Sequence, residues 1–239
     1  MKRLRHLAWA RVLDLLAGIT ILSVTWVSHA AVAQEEKSVR NFPAVLQRDI
    51  TLWSDGTRLS GVLLYPKDRE EGKKLPAIVL CNGWGGTKAF LMRSGIAPRF
   101  AAAGYVVINY DYRNWGDSNS RLVVRGRLPE PDKDGRVTVK AQAIREVVDP
   151  FDQQEDIDAA VSYVHGESMV DKSRIGLWGT SFGGGHVIYR AAHDRRIACV
   201  VAQVGSMPDD WTQRSPSRLK NIYRQKSDRA RGLIDPVPQ

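Results

Sequence analysis

The chain has 239 residues, of which 43% are hydrophobic and 26% charged, and its formal net charge is +9. That composition is ordinary for a globular protein, and the length allows one large domain or two small ones with a substantial core. The charge sits at the ends: residues 1–14 carry +3 (Lys2, Arg3, Arg5 and Arg11 against Asp14) and residues 211–239 carry +5 (five Arg and two Lys against Asp228 and Asp235), leaving +1 between them, which argues against a nucleic-acid-binding surface.

Residues 1–33 read as a secretory signal. Met1 to His6 is basic, Leu15 to Val27 is apolar, and Ala31-Val32-Ala33 is a small-x-small cleavage site before the polar Gln34-Glu35-Glu36-Lys37. The apolar run is short for a membrane span and lacks a stop-transfer flank. The expectation is an exported protein, periplasmic or secreted, without stable membrane insertion after cleavage. Residues 34–44 form a linker, and residues 45–239 are one α/β domain.

Within that domain, Val45–Trp53 and Arg58–Tyr65 are predicted to pair as a hairpin through the Asp55-Gly56 turn. Leu75–Cys81 is an apolar run of buried-strand type, followed by the glycine-rich loop Asn82–Lys88. Phe90–Ala103 is read as an amphipathic helix that starts or breaks at Pro98 and is capped by Gly104. Tyr105–Tyr110 is a second buried strand, leading into the turn-rich loop Asp111–Ser118.

Residues 119–148 show little pattern beyond a β-like run at Arg136–Lys140, and an insertion of this length suggests a lid or a substrate-facing excursion. Asp149-Pro150 has the chemistry of a helix start, and Ile157, Ala160, Val161 and Val164 follow at helical spacing. A helix over Gly184–His193 is expected to face inward with Val187, Ile188, Ala191 and Ala192. Ile197–Val204 reads as a last buried strand, and Ser215–Arg231 as a basic helix with Leu219, Ile222 and Tyr223 on one side. A hairpin followed by strand–helix units predicts a mostly parallel sheet, with its ligand site at the carboxyl ends of the strands.

Arg174–Trp178 is a short strand running into Gly179-Thr180-Ser181-Phe182-Gly183. This is the G-x-S-x-G pattern of a nucleophile elbow, in strand–turn–helix context. The chemistry needs the hydroxyl on a turn so tight that flanking side chains would clash, hence glycine two positions before and two after Ser181. The amide of Phe182, in the first turn of the next helix, then faces a developing oxyanion. Cys81 and Cys199 are the only cysteines; their strands are expected to be separated by a third, beyond disulfide reach, leaving two buried free thiols.

Residues 45–205 resemble the amino-terminal two-thirds of an α/β-hydrolase. They are similar to dienelactone-hydrolase-like enzymes and to Xaa-Pro dipeptidyl-peptidase and prolyl-oligopeptidase catalytic domains. The resemblance rests on Cys81–Thr87, Asp111–Ser118 and Gly179–Gly184. Asn82 stands where the family usually has His, and Asn114 where it has Gly.

The resemblance implies an α/β-hydrolase fold, with a mostly parallel sheet and an amino-terminal antiparallel hairpin. It implies a Ser181 nucleophile, an oxyanion hole from the amides of Phe182 and Trp84, an ester, lactone or peptide substrate, and neither metal nor organic cofactor. Trp84 and Trp115 are candidates for an acyl pocket or for core packing.

A triad also needs an acid and a histidine after the serine. Asp209 and Asp210 are candidates for the acid. The histidines are His6, His29, His165, His186 and His193, and none is placed by sequence to serve Ser181. The expectation is therefore a serine hydrolase whose last strands and histidine lie beyond these residues, with little turnover by this chain alone. The alternative is a non-catalytic binding protein on the same fold. As a fragment the chain would leave its last strand as an exposed apolar edge prone to dimerise or aggregate, whereas the binding-protein alternative expects a stable, monodisperse fold.

Overall fold

A computed structural model describes residues 42–205 and 215–235. Residues 1–33, expected to be a signal and carrying His6 and His29, and the candidate acids Asp209 and Asp210 lie outside the described residues.

The amino-terminal hairpin pairs β1 (Val45–Ser54) with β2 (Thr57–Pro66) in antiparallel register, Ser54 opposite Thr57. Then come β3 (Leu75–Cys81), helices α1 (Lys88–Arg93) and α2 (Ile96–Ala102), β4 (Val106–Tyr110), and the short strands β5 (Leu122–Val124) and β6 (Ala141–Ala143). The chain continues through α3 (Pro150–Gly166), β7 (Val170–Thr180), α4 (Phe182–His193), β8 (Ile197–Gln203) and α5 (Pro216–Ala230). The main sheet has six strands in the order β1-β2-β4-β3-β7-β8; β4, β3, β7 and β8 run parallel. This is the α/β-hydrolase fold that the sequence implied.

Two apolar layers cover the sheet. Ile157, Val161 and Val164 of α3 and Val187 of α4 meet Val79, Ile108 and Leu177 on one face. Leu91, Met92, Ala97 and Ala101 of α1 and α2 meet Ile78, Leu80, Val107 and Trp178 on the other. α3 starts where its cap predicts: the Asp149 carboxylate accepts from the amides of Phe151 and Asp152, with Pro150 in the first turn.

Several expectations are corrected. The helix over Phe90–Ala103 is two helices, and the break falls at Gly95 (φ 76°), not Pro98. Pro98 sits in the first turn of α2, where its missing N–H costs nothing. The β-like run at Arg136–Lys140 is not a strand; the excursion instead folds as the β5–β6 hairpin. On α4, Ile188 and Ala192 are exposed, and the buried position is taken by His186.

β8 is mostly exposed, because the pairing order puts it at the sheet edge. Cys81 and Cys199 are both free thiols on strands separated by β7, but only Cys81 is buried. Burial among apolar neighbours pushes the Cys81 thiol up to about 12, so it stays protonated at neutral pH. Among the described residues no helix is long and apolar enough to cross a membrane.

Candidate active site

Strand β7 ends at Thr180 and α4 begins at Phe182, so Ser181 alone makes the turn. Its backbone is at φ 53°, ψ −121°, a combination that non-glycine residues rarely adopt and that costs on the order of 1–3 kcal/mol. Three contacts hold it. The Ser181 amide donates to the Gln203 carbonyl at 2.9 Å, its carbonyl accepts from Gly184 N–H at 2.9 Å, and the start of α4 is pressed onto the end of β3. A Cβ at Gly183 would overlap the carbonyl oxygens of Cys81 and Asn82, and one at Gly179 would overlap the Gly183 carbonyl. The elbow glycines are therefore required by close approach of backbone to backbone. The Ser181 side chain is left exposed.

The loop after β3 begins beside that hydroxyl. The position of a Cβ on Gly83 lies 3.8 Å from Ser181 Oγ. Trp84 follows, its indole 69% exposed and set edge-on to the Phe182 ring, with centroids 5.3 Å apart. The Phe182 N–H opens α4 and has no intrahelical acceptor, so it lies at the positive end of the helix dipole. The fold thus brings Ser181, Phe182 and the Gly83-Trp84 segment together. Trp115 is used in packing: its ring contacts Gly85 and the core, and its indole N–H donates to the Val147 carbonyl at 3.3 Å.

Asn82, at the family's histidine position, is buried and donates to the Tyr110 carbonyl at 3.3 Å, tying the ends of β3 and β4 together. The loop after β4 is held from within. Asp111 accepts from Lys88 N–H at 2.7 Å, Lys88 Nζ at 2.8 Å and Asp117 N–H at 2.9 Å. Burial opposes the Lys88 charge, but Asp111 and Asp117 outweigh it and raise its pKa. Asn114 takes the left-handed conformation (φ 72°) that the family's glycine would occupy, and its side-chain carbonyl accepts from Arg121 N–H at 2.8 Å. Arg113 donates from its backbone N–H and from Nε to Asp156, both at 2.8 Å. The three loops meet at one sheet edge, as the topology predicted.

No described histidine is set to take a proton from Ser181. His186 Nε2 donates to Gln153 Oε1 at 2.8 Å, and its Nδ1 accepts from Gln154 Nε2 at 3.0 Å, so both ring nitrogens are engaged by α3. Burial lowers its pKa to about 4, and the ring is neutral near pH 7. His193 closes α4, about 18 Å along the axis from its start, and its Nδ1 is bonded to the Tyr189 carbonyl at 2.7 Å. His165 ends α3, which feeds the amino end of β7, the opposite edge from Ser181. Sequence reading assigned no role to Lys88, Gln153 or Gln154; their partners are distant in the chain, and nothing local marks them.

A family model described as X-Pro dipeptidyl-peptidase (S15 family) matches residues 55–225, which contain all three loops. The chain belongs to this S15 family. The quorum-quenching protein AidA of Acinetobacter baumannii is 34% identical over 167 residues, covering 70% of this chain and 46% of that protein. The thiohydrolase apmlB of Arthrinium phaeospermum is 28% identical over 182 residues, covering 74% of this chain and 50% of that protein. The α/β hydrolase GrgF of a Penicillium species superposes with a TM-score of 0.54 at 24% identity, over 79% of this chain and 55% of that one, a likeness of fold. The S15 chain spans about half the length of the curated relatives it matches. Its family and relatives are of hydrolase type.

Proposed function

We propose that this S15 chain carries the nucleophile half of a serine hydrolase acting on an ester or amide carbonyl. The reading rests on one observation above the others: the strained backbone of Ser181 at the strand–helix junction. In the proposed reaction Ser181 Oγ bonds to the carbonyl carbon, and the amides of Phe182 and Trp84 stabilise the oxyanion. The oxyanion collapses to an acyl-Ser181 as the alcohol or amine leaves with the hydroxyl proton relayed by the base, and a water then attacks the same carbonyl, releasing the acid and restoring Ser181. The hydroxyl proton needs a base, and no described histidine is offered to it. The base and its orienting acid would come from elsewhere in the polypeptide, Asp209 and Asp210 being candidates for the acid. No metal or organic cofactor takes part in this scheme.

A second reading is a binding protein on the same fold; the engagement of both His186 nitrogens by glutamines favours it. One experiment separates the two. The chain and its Ser181→Ala variant are treated with a fluorophosphonate probe and with p-nitrophenyl acetate, each with and without added imidazole. The hydrolase reading expects slow Ser181-dependent labelling and weak turnover, both raised by imidazole acting as the missing base. Identical behaviour of chain and variant under all conditions would refute it. Rapid turnover without imidazole would refute the absence of a base.

A further inference from the structure

We propose that the rings of Trp84 and Phe182 form an acyl-group subsite that takes an uncharged aromatic group on the carbonyl carbon, an inference that rests on Ser181 being the nucleophile. The two rings meet edge to face, with centroids 5.3 Å apart and planes at 67°. They make two walls of a corner, in which a third ring can stack on one wall and meet the other with its edge. Among the described residues, neither ring belongs to the apolar layers that cover the sheet.

The corner is held from both sides. Gly86 N–H donates to the Gly83 carbonyl at 3.1 Å, closing a four-residue turn with Trp84 and the left-handed Gly85 (φ 65°) at its centre. The Trp115 ring stands 3.3 Å from where a Cβ of Gly85 would be and fills the core side of that turn. Phe182 packs edge to face on the His186 ring, with centroids 4.5 Å apart, and Gln153 and Gln154 fix that ring by both its nitrogens. Walls held in this way lose little freedom when a ligand meets them.

Position ties the corner to the reacting carbonyl. Phe182 follows Ser181 directly, and Trp84 follows Gly83, whose Cβ position is 3.3 Å from Ser181 Cβ. The amides of the same two residues would hold the oxyanion, so their side chains start beside the carbonyl carbon. The acyl group stays there through both halves of the reaction, whereas the leaving group departs after the first. Charge selects the kind of group. Gly83, Thr180, Phe182 and Gln203, which are set against Ser181, carry none. The Asn82–Lys88 loop and α4 have no acid, and their lysine and arginine are already paired, Lys88 with Asp111 and Asp117, Arg190 with Asp158. A charged acyl group would lose hydration beside these residues and find no counter-charge among them, while an aromatic one gains two ring contacts.

Two measurements test the subsite. The first needs no reaction: phenylacetamide and acetamide are titrated into the isotope-labelled chain and its Ser181→Ala variant. The magnetic resonance signal of the Trp84 indole N–H, identified by its loss in Trp84→Phe, is followed. We expect phenylacetamide alone to shift it, with saturation, in both proteins. The second compares sulfonylation of Ser181 by phenylmethanesulfonyl fluoride and by methanesulfonyl fluoride in imidazole buffer. Ser181 Oγ bonds to sulfur, fluoride leaves, and imidazole takes the proton. With each rate divided by that reagent's own hydrolysis rate in the same buffer, the aromatic reagent is expected to lead by about tenfold. Trp84→Ala should remove the lead without lowering the melting temperature; should that variant fail to fold, the titration still decides. The proposal falls if phenylacetamide leaves the Trp84 signal unmoved, if acetamide moves it as far, or if Trp84→Ala keeps the lead. A phenylacetamide shift without any labelling of Ser181 would overturn the nucleophile and leave the aromatic subsite standing.

Discussion

Lys88 and Asp111 are joined twice: the Lys88 backbone N–H donates to one carboxylate oxygen at 2.7 Å and its ammonium to the other at 2.8 Å. One residue thus clamps the start of α1 to the loop after β4. Both partners are buried, Asp111 at 1% exposure. Lys88→Met leaves the Asp111 carboxylate without its counter-charge and is expected to cost about 3–5 kcal/mol. Adding Asp111→Asn should recover part of that loss. Urea denaturation of the two single variants and the double variant measures the coupling; additive losses would show that the pair does not act as a unit.

Ser181 stores strain that glycine would release. Ser181→Gly should stabilise the fold by about 1 kcal/mol, the relief exceeding the extra freedom glycine gains in the unfolded chain. A denaturation midpoint at or below that of the parent would show that the turn is not strained.

Gly183 has no such tolerance. Its Cβ would strike the carbonyl oxygens of Cys81 and Asn82, which belong to backbone and cannot rotate away. Gly183→Ala is expected to cost more than about 3 kcal/mol, or to prevent soluble expression. A melting temperature within a degree or two of the parent would contradict the packing described.

His186 makes stability depend on pH. Its pKa is lowered by burial to about 4 in the fold, against 6.5 for a free imidazole. Between those values the unfolded chain binds the proton and the fold does not. The stabilisation is therefore complete above about pH 6.5 and is lost progressively as pH falls toward 4, by on the order of 3 kcal/mol. His186→Gln should flatten this part of a stability–pH profile; an unchanged slope would assign it to other groups.

The α/β-hydrolase fold was readable because its signals are local. Apolar runs ending in glycine-rich loops, the Asp149-Pro150 cap and the elbow glycines are each set by neighbouring residues and by sterics that hold in any context. The match over residues 55–225 agrees with that reading. The expected sheet order also separated Cys81 from Cys199, whose strands have β7 between them.

Burial at the sheet edge depended on tertiary structure. Ile197–Gln203 has the composition of an interior strand, yet it is exposed because no strand follows it in the described sheet and a helix covers only one of its faces. The Lys88–Asp111–Asp117 cluster, the Arg113–Asp156 pair and the glutamines around His186 are likewise tertiary. Their bonds from Lys88 to Asp111, from Arg113 to Asp156 and from His186 to Gln153 span 23 to 43 positions, and a charged or amide side chain looks the same in sequence whether it is solvated or clamped. By itself the sequence established the family and the turn that carries Ser181. Only the folded chain decided which polar groups are free to act, because that depends on which partners the fold has already given them.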